Sequence, residues 1–199
     1  MLDRLRARLN LLLLSLGGAF SAFGLSPTTW TAVGFVLAFL SGAAFSLTGY
    51  RGEFLGGLLI LGSGFFDIVD GAVARATNAV SKTGAFLDST LDRLAEVAIF
   101  AGILLGSFTG PLVVLLSLSF SLLVSYTRAK GDSLGVSLSG VGIGERSERL
   151  IVLAAAALLG LVDIGVFIVL LMAGYTFIER TYRASRSLSR AAQSAPQAP

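Results

Sequence analysis

Apolar residues fill six long runs along the chain, at about 28–49, 54–76, 83–107, 110–130, 147–162 and 164–184. Polar or turn-forming residues separate them: Gly49 to Glu53, Asn78 to Lys82, Thr109-Gly110-Pro111, the Gly-rich stretch 131–144, and Asp163 with Gly165. Runs of roughly 20 residues span a hydrocarbon core as helices, which pair every backbone polar group internally. The pattern predicts an all-α integral membrane protein whose six transmembrane helices form one domain over 26–186. Residues 1–25 start basic, and Gly17-Gly18 cut their apolar run below spanning length. A cleaved signal peptide has a similar outline. An interfacial amphipathic helix, with Arg4, Arg6 and Arg8 toward the headgroups, is the preferred expectation. Residues 187–199 read as a disordered tail.

Composition agrees, with 54% hydrophobic residues and a mean hydropathy of +0.83. The net charge of +3 arises from an uneven distribution. Of the 15 Lys and Arg residues, only Arg51 lies in an odd loop and only Arg93 deep within a run, leaving thirteen at the termini or flanking the even loops. By the positive-inside rule both termini and the even loops are cytoplasmic in a multi-pass plasma-membrane protein. The charge is therefore a topology signal and not a nucleic-acid footprint. The absence of Cys and His removes the usual ligands of zinc, haem, iron–sulfur and copper centres. A metal here must be a hard cation on carboxylate oxygens, and a general base must be a carboxylate, Lys or Tyr.

Four aspartates interrupt the second and third runs. Asp67, Asp70, Gly71 and Ala74 share one helical face, and Gly84, Asp88 and Asp92 share another. The short connection predicts antiparallel neighbouring helices, with both acidic faces on one side of the bilayer. Asp67 lies about 12 Å along its helix from Arg75, and Asp92 about 15 Å from Lys82. The cluster therefore belongs at the cytoplasmic headgroup boundary. Four membrane carboxylates cost on the order of 10 kcal/mol, less at shallow depth. Arg75 and Arg93 offset part of their charge. One or two Mg²⁺ or Mn²⁺ ions complete the compensation better than Arg pairing alone.

The segment Asp67-x-x-Asp70-Gly71-x-x-Ala74-Arg75, eight residues, then Gly84-x-x-x-Asp88-x-x-x-Asp92 resembles the signature of the CDP-alcohol phosphotransferase family. The resemblance implies transfer of a phosphoalcohol group from a CDP-linked lipid with release of CMP. It implies Asp67, Asp70 and Asp88 as metal ligands, and Asp92 as general base and possible fourth ligand. Asp67 and Asp70 with Gly71, Ala74, Arg75 and Gly84 would border the CDP group. Thr31 is placed near the nucleotide, although Thr28 stands where many relatives carry Asn. A homodimer is expected from the resemblance alone.

The acceptor is read from the stretches 125–135 and 142–150, which contain Arg128, Lys130, Arg146 and Arg149; Arg180 follows on the last run. Guanidinium groups suit a phosphate dianion. The pattern resembles the inositol-phosphate branch, which makes phosphatidylinositol phosphate or archaetidylinositol phosphate. The expected acceptor is thus inositol 1-phosphate, a soluble phosphorylated polyol, with CDP-diacylglycerol or CDP-archaeol as donor. Alternatives are glycerol 3-phosphate as acceptor, or a CDP-inositol-dependent di-inositol phosphate synthase. The same bases also satisfy the positive-inside rule without any ligand, and Gly140, Gly142 and Gly144 read as a flexible loop. An ion carrier fits less well, because no repeat is visible and the acids lie near one surface.

Overall fold

The computed structural model describes residues 13–194, and everything ordered into an element there is helical. Helix α1 covers 13–21, followed by α2 (Pro27–Phe45), α3 (Tyr50–Ala76) and α4 (Lys82–Leu105). Then come α5 (Pro111–Ser133), α6 (Arg146–Leu158) and α7 (Val162–Ser194). Local sequence sets the starts. Pro27 and Pro111 occupy first-turn positions, where the missing N–H costs nothing. The hydroxyls of Ser26 and Ser81 accept from the backbone N–H groups of Thr29 and Gly84. Glu145 and Glu148 form a capping box at α6.

Among the described residues, four helices are long and apolar enough to cross a membrane: α2, α3, α5 and Val162–Arg190 of α7. The other two expected spans fall short for separate reasons. Helix α4 carries Lys82, Asp88, Asp92, Arg93 and Glu96 in its first 15 residues. Helix α6 has 13 residues, about 20 Å, against a core about 30 Å thick. Helix α7 runs ten residues past the expected end at 184, so 187–194 of the anticipated disordered tail is helix. Of the predicted interfacial helix, 1–12 lie outside the described residues.

Helix α2 packs against both α3 and α4, α7 against α5 and α6, and α6 against α3. Small residues make these approaches close. A Cβ on Gly102 would strike the backbone of Gly42, and one on Gly42 would strike the Ala98 carbonyl. Backbone contact of this kind drives association where lipid supplies no hydrophobic force. Around it lie buried Phe45, Ile60, Ile99, Phe100 and Ile103, with Leu153, Val166 and Val169 from the other half. Ser41 donates to the Gly56 carbonyl at 2.8 Å, and Ser117 to that of Val166 at 3.1 Å. Gly102→Val should force α2 from α4 at a cost of about 1–3 kcal/mol. A fall in the unfolding midpoint of the detergent-solubilised protein checks this, and an unchanged midpoint contradicts it.

Helix α1 lies on α3 through Gly17, which faces the Ala72 carbonyl and Ala76. Phe20 meets Trp30 edge-on at 5.1 Å between centroids, and Trp30 stacks on Phe66 at 5.6 Å. The aromatic group braces the α2–α3 end that carries the aspartates.

Candidate active site

The acidic ends of α3 and α4 face each other across a cleft bridged from one side by α2. The turn between them passes through Asn78 at φ 53°, a left-handed conformation that Asn tolerates better than most residues. Although consecutive and antiparallel, α3 and α4 are not packed along their lengths, contrary to the sequence expectation. The gap is what gives the acids a shared space.

Asp67, Asp70 and Asp88 each place a carboxylate oxygen within 4.8 Å of the others. Asp70 Oδ2 and Asp88 Oδ1 are buried without a hydrogen-bond partner. Buried acceptors left unpaired are costly, and an all-oxygen donor set with two such atoms fits a hard divalent cation. Asp92 stands outside this trio. Its Oδ1 lies 2.9 Å from Arg146 and its Oδ2 3.3 Å from Arg93. Arg146 also reaches Asp67 Oδ2 at 3.4 Å.

Two cavities flank these carboxylates, Asp70 and Asp88 lining one and Asp67 and Asp92 the other. The first, about 400 Å³, is lined by Thr31, Asp70, Gly71, Ala74, Arg75, Gly84 and Asp88, together with Thr28. Every residue expected at the nucleotide except Asp67 lies on its wall. A Cβ on Gly84 would sit 3.0 Å from the Ser81 hydroxyl that caps α4, a tight contact that Gly avoids.

The second cavity, about 230 Å³, is lined by Asp67, Asp92, Arg128, Glu145, Arg146, Arg149 and Arg180, among others. Lys130 is not on its wall. Two residues along a helix turn a side chain by about 200° from Arg128, and Lys130 is exposed. A slot of about 10 Å³, near the size of one water, lies among Thr31, Asp67, Asp70, Asp92 and Arg146.

The arginines of the second cavity are held by the protein as well as exposed to the space. Arg180, 2% exposed, donates from Nε to the Val141 carbonyl at 2.9 Å and from Nη1 to that of Val124 at 3.0 Å. Its Nη2 lies 3.3 Å from Glu145 Oε1. Arg149, 1% exposed, donates to Glu96 Oε1 at 2.6 Å and to the Gly144 carbonyl at 2.5 Å. The Nε atoms of Arg146 and Arg149 are buried with no partner. Loop 134–145 is packed where a flexible segment was expected. Leu138 is buried, Val141 is tied to Arg180, and Gly142 and Gly144 lie against Thr176 and Met172 of α7.

Sequence reasoning missed Glu145 and Glu96. Glu145 Oε1 receives Arg180, Arg128 at 3.8 Å, and the Gly140 N–H at 3.3 Å. Its signal was the capping-box spacing to Glu148. Glu96 continues the Asp88–Asp92 spacing by one more helical turn.

The profile of the family described as CDP-alcohol phosphatidyltransferase matches residues 24–179. The chain belongs to this family. Its membership makes the protein a transferase, and the eight signature residues line the two cavities, six of them the first and Asp67 and Asp92 the second. The archaetidylinositol phosphate synthase of Pyrococcus horikoshii is 38% identical over 188 residues, covering 94% of this chain and 98% of the relative. That of Methanothermobacter thermautotrophicus is 40% identical over 75% of this chain and 78% of its own length. The fold is also that of the Mycobacterium tuberculosis phosphatidylinositol phosphate synthase solved with CDP-DAG bound. There the TM-score is 0.75 at 24% identity, over 86% of this chain and 92% of the other. A structure of the same mycobacterial protein in complex with manganese and citrate gives a TM-score of 0.76.

Proposed function

We propose that this transferase moves a phosphatidyl-type group from a CDP-linked lipid to a hydroxyl of inositol 1-phosphate, releasing CMP. One observation carries the reading: Asp70 and Asp88 line a cavity walled by small residues and Arg75, while Asp67 and Asp92 line a cavity walled by five arginines, so the aspartate cluster lies between the two. The names of the relatives support the same acceptor. The arginine-rich lining of the second cavity favours an anionic guest there.

In this reading Gly71, Ala74 and Gly84 admit the cytidine diphosphate, Arg75 meets its phosphates, and the acyl or isoprenoid tails stay in the bilayer. Asp67, Asp70 and Asp88 hold Mg²⁺ or Mn²⁺. When bound, such an ion lowers charge on the diphosphate and stabilises departing CMP. Asp92 accepts the acceptor hydroxyl's proton as the oxygen attacks the lipid-side phosphorus and the bond to the CMP oxygen breaks. Arg146, Arg149, Arg180 and Arg128 hold the acceptor's phosphate. The site faces the cytoplasm, with α4 and α6 completing six spans, in a plasma-membrane homodimer of the kind the family resemblance implies. The charged end of α4 lines the cleft, where the acids need not face lipid.

The test is competition between inositol 1-phosphate and glycerol 3-phosphate for purified protein supplied with CDP-diacylglycerol or CDP-archaeol. The inositol phosphate product should dominate at equal concentrations, and a predominantly glycerol phosphate product would overturn the acceptor assignment. Ala74→Leu adds bulk to the donor cavity only. Its KM for the CDP-lipid should rise by more than about tenfold, with the acceptor KM within about twofold. Equal effects on both substrates would contradict the division of labour between the cavities.

A further inference from the structure

The face of α4 that carries Asp88 and Asp92 continues to Glu96, and α6 answers it with Arg146 and Arg149. The result is two ion-paired rungs, Asp92 to Arg146 at 2.9 Å and Glu96 to Arg149 at 2.6 Å. The second rung is almost wholly buried, with both residues 1% exposed. Arg149 also bonds the Gly144 carbonyl, and it reaches the Ser121 carbonyl at 3.4 Å. Three protein acceptors therefore fix the guanidinium group, and its Nε remains unpaired while the residue lines the second cavity.

We propose that Glu96 is a positioning residue for the acceptor, anchoring Arg149 on the cavity wall and away from the aspartates. The inference rests on the reading that this cavity takes the acceptor's phosphate. Asp67 and Asp92 line the same space as Arg149, so an Arg149 released from Glu96 has other carboxylates within it to seek. A buried cation robbed of its partner rearranges or binds its next anion, because the unpaired state is strongly unfavourable. Glu96 prevents that and keeps a pre-aimed cation in place, which spares the acceptor the cost of ordering it. Glu96 acts through Arg149 and touches no reacting atom in this scheme.

The test uses full-length protein in lipid nanodiscs, with KM values for CDP-lipid and inositol 1-phosphate measured separately. Glu96→Gln should raise the acceptor KM about tenfold and leave the CDP-lipid KM within about twofold. Placed on an Arg149→Ala background, Glu96→Gln should add nothing further to the acceptor KM. Glu96→Asp keeps the charge, folds with it, and should give an acceptor KM between wild type and Glu96→Gln. The proposal is overturned by an unchanged acceptor KM in both variants, by parallel rises for both substrates, or by a full effect without Arg149. Wild-type protein that transfers to no phosphorylated acceptor would instead bring down the functional reading, and this inference with it.

Discussion

Asp92→Asn is expected to cut turnover by about a thousandfold while leaving binding of the cation and the nucleotide nearly intact. The geometry supports this separation. The oxygen trio of Asp67, Asp70 and Asp88 closes without Asp92, whose oxygens point to Arg146 and Arg93. An amide keeps the size of the side chain but cannot take a proton from an attacking hydroxyl. CMP release and titration of nucleotide binding on the same preparation check both halves. Near-normal turnover in the variant would remove Asp92 from the role of general base. Loss of cation binding in parallel with turnover would make it a ligand first.

The second large effect belongs to the trio. Asp88→Asn and Asp70→Asn each replace a carboxylate that has a buried, unpartnered oxygen. Each should weaken Mg²⁺ by more than about tenfold and reduce turnover by about a thousandfold at fixed Mg²⁺. The contrast with Asp92→Asn is diagnostic, because here affinity and rate fall together. Raising Mg²⁺ should recover part of the activity in these variants and none in Asp92→Asn. Identical Mg²⁺ titrations for wild type and the Asp88 variant would contradict the assignment of the trio.

The donor half of the site was legible in the sequence because its chemistry is local. Spacings of three and four on α3 and α4 place Asp67, Asp70, Gly71, Ala74, Gly84 and Asp88 on faces that depend only on the helical repeat. The acceptor half draws on α4, α5, α6, α7 and the loop before α6, so its partners are set by packing between distant segments. Residue type alone shows a basic group, and cannot show that Arg180 is fastened to Val141 and Val124, or Arg149 to Glu96. The family resemblance favoured Lys130 over Arg128 for the acceptor phosphate, whereas the turn of α5 puts Arg128 on the cavity wall and leaves Lys130 off it. Hydropathy marked six runs alike, of which α2, α3, α5 and α7 are long and apolar enough by themselves. It averages over the charges that line a cleft and over a helix that stops at Leu158. The glycines of 140–144 signalled a departure from regular structure, and the structure uses Gly142 and Gly144 for close approach to α7.

Divalent-ion dependence of CMP release is the decisive measurement for the aspartate cluster. Purified protein is incubated with CDP-lipid and inositol 1-phosphate before chelation, after chelation, and after Mg²⁺ is restored. CMP should be released in the first, not in the second, and again in the third. Steady release of CMP in the presence of chelator would contradict a cation-holding role for the cluster.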